Sequence, residues 1–339
     1  MQVTGFQDAK TATDLSLLPS FLTSDAPAHS QSMPPAQQTT LANAISCRGI
    51  ALHSGVTVTL ELRPAPAHTG ICFLRTDLPE TPAFPVRPDT IIDTRLSTVV
   101  AWDENPEVRA ATIEHLMAAL SALSIDNAII AVSGPEMPAL DGSSAEFCFL
   151  IQCAGTRILE APRRTIEILR PVRVEDDNGA FAELRPAHHG LALAISLSFS
   201  AEAIGTQRYA IQLTADRFIN ELSFCRTFVN RSDIEHLQSI GLARGGSLDN
   251  AVVVDGQSVI NPAGLRIERE FARHKLLDAV GDLYCAGRPI QGGFIGHKSG
   301  HRMNNQLLRA VFADQRNWRL QPIATTRPTK STQPSYVAA

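Results

Sequence analysis

Residues 273–282 read R-H-K-L-L-D-A-V-G-D, and this stretch constrains the fold more than any other in the chain. His274 and Asp278 lie four residues apart in a segment of helical periodicity. At about 100° per residue they return to nearly the same face. Asp282 falls one turn further along that face. Leu276, Leu277, Val280 and Leu283 give the same helix an apolar side, so it must pack, and a carboxylate beside a packing face is costly unless it is paired or bound to a cation. The plain alternative is a surface His–Asp pair.

A second segment, T-I-E-H-L-M-A-A-L at 112–120, offers His115 with Glu114 beside it. His115, His274 and Asp278 together make two imidazoles and one carboxylate. Three protein ligands with a fourth position open is the arrangement of a catalytic zinc. Glu114 need not be a ligand, and a spare carboxylate next to the metal is what a hydrolase needs to take a proton from water. His301, in K-S-G-H-R-M-N-N, follows a glycine turn. It reads either as a surface residue between Lys298 and Arg302 or as a protonated imidazole held charged by an acid such as Asp282. His53 and His297 read as either structural or close to the site. His29 falls in the expected N-terminal tail, and His68, His188, His189 and His236 read as solvated surface residues.

Composition excludes several classes. The 339 residues suffice for two domains of ordinary size. Apolar residues at 44% and charged residues at 19% are the balance of a soluble globular protein. The formal charge of −4 lacks the basic excess of a nucleic-acid binder. No apolar run reaches the roughly 20 residues of a membrane span, and the first residues lack the charge and apolar core of a secretory signal. Six cysteines with no C-x-x-C pair are expected to be reduced, which places the protein in the cytoplasm and argues against a cysteine metal site.

Two Ser/Thr/Pro-rich ends, 1–37 and 321–339, are expected to be flexible tails. Between them the pattern suggests two α+β domains, 38–163 and 164–320. In the first, strands are expected at 56–62, 70–74 and 127–132, with helices at 110–123 and 143–154, the latter capped by Asp141 or Ser143. In the second, strands are expected at 166–174, 180–184, 191–199 and 292–295, with helices at 215–222, 268–287 and 303–312. A βαβ-like insert is expected at about 227–254, with a helix near 233–239 before the turn G-L-A-R-G-G. Similar order in both halves suggests a duplicated α+β layer architecture, although no sequence repeat proves it.

Several phrases together resemble the bacterial UDP-3-O-acyl-N-acetylglucosamine deacetylases. They are I-A-L-H-S-G-V-T-V-T-L-E-L-R-P-A-P-A-H-T-G, T-I-E-H-L-M-A-A-L, S-I-D-N-A-I-I with P-A-L-D-G-S-S, R-T-F, and F-A-R-H-K-L-L-D-A-V-G-D-L with K-S-G-H-x-x-N-N. The resemblance covers about 38–315 and keeps the family's order. It implies two similar two-layer α/β sandwich domains, each with a small insert. It also implies a zinc-dependent hydrolysis of the N-acetyl group of UDP-3-O-(3-hydroxyacyl)-N-acetylglucosamine, releasing acetate, the committed step of lipid A synthesis.

By resemblance, His115, His274 and Asp278 bind one Zn2+, a site that Fe2+ also fits. Glu114 is the general base, His301 the cationic partner, and Asp282 orients His301. Thr227 hydrogen-bonds the oxyanion and Phe228 contacts substrate. Lys275 holds substrate or its phosphates, and the 227–254 insert forms a passage for the acyl chain. Either His301 or Glu114 protonates the leaving amine. The expected partner is the UDP-linked acylated glucosamine, bound by a monomer. Two other readings share these residues: a zinc amidohydrolase for another sugar amide, and a non-catalytic nucleotide-sugar-binding protein. The intact set of six polar residues argues against the last.

Overall fold

The computed structural model describes residues 36–323. The expected tails fall outside the described residues except at their inner ends. There Gln37 opens the strand Gln37–Leu41, and the strand Trp318–Pro322 extends past the expected boundary.

Two sheets organise the chain. The first has the order Ile45–Ile50, Thr57–Pro64, Ala128–Val132, Ile71–Arg75, Phe84–Pro85. Neighbours along it are antiparallel, antiparallel, parallel and antiparallel. The second contains Val172–Glu175, Phe181–Arg185, Ile290–His297, Leu191–Ser198, Thr206–Gln212, with the same four relationships in the same order. Arg164–Ile168 and Trp318–Pro322 extend it. The strand order thus displays the duplication.

After its fifth strand each half makes a small excursion. In the first half this is a three-stranded sheet of Ile91–Asp93, Val99–Trp102 and Asn105–Ala110. In the second, Phe228–Asn230 runs parallel to Val252–Asp255, which pairs with Ser258–Val259. The helices, in chain order, are α1 (Glu114–Ala122), α2 (Ala145–Ala154), α3 (Ala215–Arg217), α4 (Arg231–Ser239), α5 (Glu270–Tyr284) and α6 (His301–Phe312). The crossover between Phe228–Asn230 and Val252–Asp255 is α4.

Helices α1 and α5 occupy equivalent places in the two halves and pack on each other, with α2 flanking α1 and α6 flanking α5. Eight of the nine residues of α1 and 13 of the 15 of α5 are buried. Helices buried all round belong between layers, not on a surface, and their polar residues must find partners along this seam. At Gly281 of α5 the backbone of α1 comes close enough to leave no space for a β-carbon.

Local chemistry explains where the sequence reading departs from the fold. The helix expected from 110 begins at Glu114, because residues up to Ala110 finish a strand and Thr112 takes φ +60, turning the chain into the helix. The strand expected at 166–174 is two strands, Arg164–Ile168 and Val172–Glu175. Pro171 lies between them and has no N–H for a continuous ladder. The helix expected at 215–222 is one α-turn followed by a π-turn, Phe218–Leu222. The N-cap position of α2 is Ser144, while Asp141 accepts from both the N–H and the hydroxyl of Ser143. Helix α6 begins at His301, two residues earlier than expected.

Candidate active site

The seam between α1 and α5 gathers the polar residues into one place. Glu114 and His115 are the first two residues of α1; His274, Asp278 and Asp282 project from α5; His301 is the first residue of α6. All six are at most 9% exposed. The peptide at the start of α1 is fixed from two sides. The Ile113 N–H donates to the Thr98 carbonyl, and the Ser144 hydroxyl donates to the His115 carbonyl at 2.5 Å.

His115 Nε2 lies 3.4 Å and His274 Nε2 3.3 Å from one oxygen, Asp278 Oδ1. Donor atoms of the three residues all fall within 4.8 Å of one another. Asp278 Oδ1 is buried and has no hydrogen-bond partner, a state that costs about 1–3 kcal/mol for a polar atom and more for a charged one. His274 Nδ1 pairs with the Cys225 carbonyl at 3.0 Å. That contact sets Nδ1 as the protonated nitrogen and leaves Nε2 with a lone pair aimed inward. Burial pushes His274 down to about 4, so it is neutral at pH 7, as a metal ligand must be. Burial opposes ionisation of Asp278, but His274 and Lys275, with His115 and His301 around them, hold it well below the usual carboxylate range. Two imidazoles and an ionised carboxylate, converging around an unsatisfied oxygen, fit a divalent cation.

Glu114 takes no place in this triad. Its Oε2 accepts the Thr98 N–H at 2.9 Å, and its Oε1 faces His301 Nε2 at 3.9 Å. Burial raises its carboxyl above the ordinary range, outweighing the pull of His301 and His115. His301 Nδ1 contacts both oxygens of Asp282, at 2.9 and 3.1 Å. Burial works against its charge, but Asp282 and Glu114 prevail and raise it to about 9. Asp282 also accepts from the Thr98 hydroxyl at 2.5 Å and from Asn304 Nδ2 at 2.9 Å. The surface reading of His301 is therefore excluded.

The R-T-F segment is anchored to the start of α5 by a buried ion pair. Arg226 donates to Glu270 from its Nε at 2.9 Å and from its backbone N–H at 3.0 Å, and Glu270 is fully buried. Thr227 follows, its N–H donating to the Gly142 carbonyl and its carbonyl accepting from the Val252 N–H, each at 2.8 Å. Phe228 then packs edge-on against Phe271 and His274, with centroids 4.9 and 6.1 Å apart. Lys275 places its Nζ 2.8 Å from Asp278 Oδ2 and 5.8 Å from the Phe228 ring centre.

A cavity of about 390 Å³ opens from these residues toward the second excursion. Glu114, Thr227 and His301 line its polar end; Ile234, Leu237 and Val253 line its apolar end. His53 also lines it, with its backbone N–H donating to Glu136 Oε1 at 2.7 Å. His297 lies away from the cavity, paired with Ser196 at 2.8 Å.

Three residues at the site were not singled out from the sequence. Thr98, in R-L-S-T-V-V, had no pattern to mark it. Asn304 sat unassigned inside K-S-G-H-R-M-N-N. Gly281 carried the one legible signal, a glycine inside an otherwise strong helix, which often marks a close approach.

Comparison with known proteins gives a consistent result. Residues 38–313 match the protein family described as UDP-3-O-acyl N-acetylglycosamine deacetylase. A UDP-3-O-acyl-N-acetylglucosamine deacetylase of Glaesserella parasuis is 48% identical over 284 residues, covering 83% of this chain and 92% of the relative. One from Vibrio cholerae is 47% identical with the same coverage. One from Aliivibrio fischeri is 44% identical over 307 residues, covering 89% of this chain and 99% of the relative.

Proposed function

The chain belongs to the UDP-3-O-acyl-N-acetylglucosamine deacetylase family, and we propose on that premise how its residues divide the reaction. It is a metal-dependent hydrolase that removes the N-acetyl group of UDP-3-O-(3-hydroxyacyl)-N-acetylglucosamine and releases acetate, the committed step of lipid A biosynthesis.

His115, His274 and Asp278 hold the metal in this reading. The observation that carries it is the buried, unpartnered Asp278 Oδ1 between two imidazole nitrogens. The donor set favours Zn2+, with Fe2+ as the alternative occupant. When bound, the ion polarises the acetamide carbonyl and lowers the pKa of the attacking water.

Glu114 accepts the proton from that water, and its raised pKa brings it nearer the operating pH, where general bases work best. His301, charged at neutral pH, faces Glu114 across the cavity and offsets the negative charge that develops on the carbonyl oxygen. The Thr227 hydroxyl shares that charge. Asp282 keeps His301 charged and oriented. The amine leaves with a proton from His301 or from the newly protonated Glu114. Phe228 and Lys275 form the wall against which the sugar and its phosphates lie.

The apolar end of the cavity takes the acyl chain, each buried methylene contributing roughly 0.8 kcal/mol. The same reading assigns domains 38–163 and 164–320, with the second excursion serving as the acyl passage. It needs one chain only, so the proposed state is a monomer. No helix among the described residues is long and apolar enough to cross a membrane. Six free cysteines and a nucleotide-linked substrate support a cytoplasmic location.

The test is acetate release from the UDP-linked 3-hydroxyacyl substrate, before and after chelation, with zinc or iron added back. Restoration by zinc supports the assignment. A folded, metal-loaded protein that releases no acetate would refute it.

A further inference from the structure

Thr98 lies 2% exposed just before the strand Val99–Trp102, in the first excursion rather than in either helix of the seam. Each of its polar groups nevertheless ends on the site. Its N–H donates to Glu114 Oε2 at 2.9 Å, its hydroxyl donates to Asp282 Oδ1 at 2.5 Å, and its carbonyl accepts the Ile113 N–H at 3.3 Å. The two carboxylates it holds come from different helices: one is the proposed base Glu114, and the other is Asp282, which bonds His301.

We propose that Thr98 is a positioning residue for deacetylation, fixing the distance between the base Glu114 and the Asp282–His301 pair by bonding to both at once. The inference rests on the roles given above to Glu114 and His301. The geometry supports a specific division of labour. Asn304 Nδ2 holds Asp282 Oδ2 and His301 Nδ1 contacts both oxygens, so the Thr98 hydroxyl on Oδ1 is the bond that ties this carboxylate to the strand entrance whose N–H holds Glu114. With that hydroxyl absent, the carboxylate keeps Asn304 and His301 but loses its link to Glu114, and the Asp282–His301 pair can shift relative to the base. The Thr98 N–H meanwhile keeps Glu114 off the metal ligands, on the His301 side. The excursion thus bonds both carboxylates through Thr98, with Leu96 and Ser97 beside it lining the cavity.

Thr98→Val keeps the shape and the N–H and removes only the hydroxyl. The expected result is a fall in kcat of about 10- to 100-fold, the usual size for a supporting hydrogen bond behind a reacting group. KM and metal stoichiometry should stay within about threefold of the parent, by the same principle of a local effect. Thr98→Ser, which restores the hydroxyl, should recover most of kcat. In a His301→Ala background Thr98→Val should cost little more, because the hydroxyl acts through His301. An undiminished kcat in Thr98→Val, or an equal loss with His301 already gone, would overturn the proposal. A protein misfolded in Thr98→Val is told apart by its circular dichroism, and Thr98→Ser then decides: a kcat as low as His301→Ala from a folded Thr98→Ser would also overturn it. If His301→Ala itself retains full activity, the role given to His301 is what fails.

Discussion

Gly281 has no room for a side chain against Glu114. A β-carbon at Gly281 would collide with the Glu114 carbonyl oxygen and lie 2.8 Å from its carbonyl carbon and 3.1 Å from the Ala118 nitrogen. The two helices that carry the polar groups thus meet backbone to backbone. In an exposed helix, Gly→Ala gains up to about 1 kcal/mol. Here the collision outweighs it, because backbone atoms cannot move aside as a side chain does. Gly281→Ala should lower stability by about 1–3 kcal/mol, the usual size of overpacking. It should also weaken metal retention, by parting Glu114 and His115 from Asp278. Thermal unfolding and metal analysis read the two effects; an equal or higher melting temperature would show that the helices can separate without cost.

Ligand and base should separate experimentally. His274→Ala removes one of the two nitrogens beside Asp278 Oδ1 and should lower metal content along with turnover. Glu114→Ala leaves the triad intact and should lose turnover by about 10²–10⁴-fold, the size of a general base, with metal content near that of the parent. Metal analysis of the two purified variants is sufficient, and unchanged content in His274→Ala would remove it from the ligand set.

The pH profile follows from the two charged groups. Glu114 must be ionised to act, and burial raises its pKa, so the acidic limb of kcat/KM should lie above the ordinary carboxylate range. His301 must be protonated, and activity should fall as pH rises through about 9. Asp282 is the largest influence raising His301, so Asp282→Asn should move the alkaline limb to lower pH. A limb that stays in place would mean that another group titrates there.

Chain-length preference should be set by the apolar end of the cavity. At roughly 0.8 kcal/mol per methylene, a substrate two methylenes shorter should lose about 15-fold in kcat/KM. Ala251 is 7% exposed and lines the cavity. Ala251→Leu should shrink that preference by filling space the longer chain would occupy, and an unaltered ratio would place the acyl chain elsewhere.

Much of this was legible in local pattern. The i, i+4 spacing of His274 and Asp278 and the Glu114–His115 pair were visible because a helix turns spacing into direction. Pairing the two helices was beyond periodicity, since it depends on Gly281 meeting a backbone far away in sequence. Thr98 and Asp282, bonded across 184 positions, illustrate the limit. An R-L-S-T-V-V strand entrance has no local property that announces a distant carboxylate. The duplication was legible in the order of the elements but not in a sequence repeat. Strand order and direction repeat between the halves, while the side chains that fill them do not.

The seam also makes metal affinity a gauge of assembly. On the proposed assignment one ligand comes from the first half and two from the second, so an ion seated there would act as a rivet across the duplication. Its dissociation constant then includes the free energy of docking α1 on α5. A substitution along that interface, even one remote from the proposed ligands, should weaken the rivet to the extent that it depopulates the docked state.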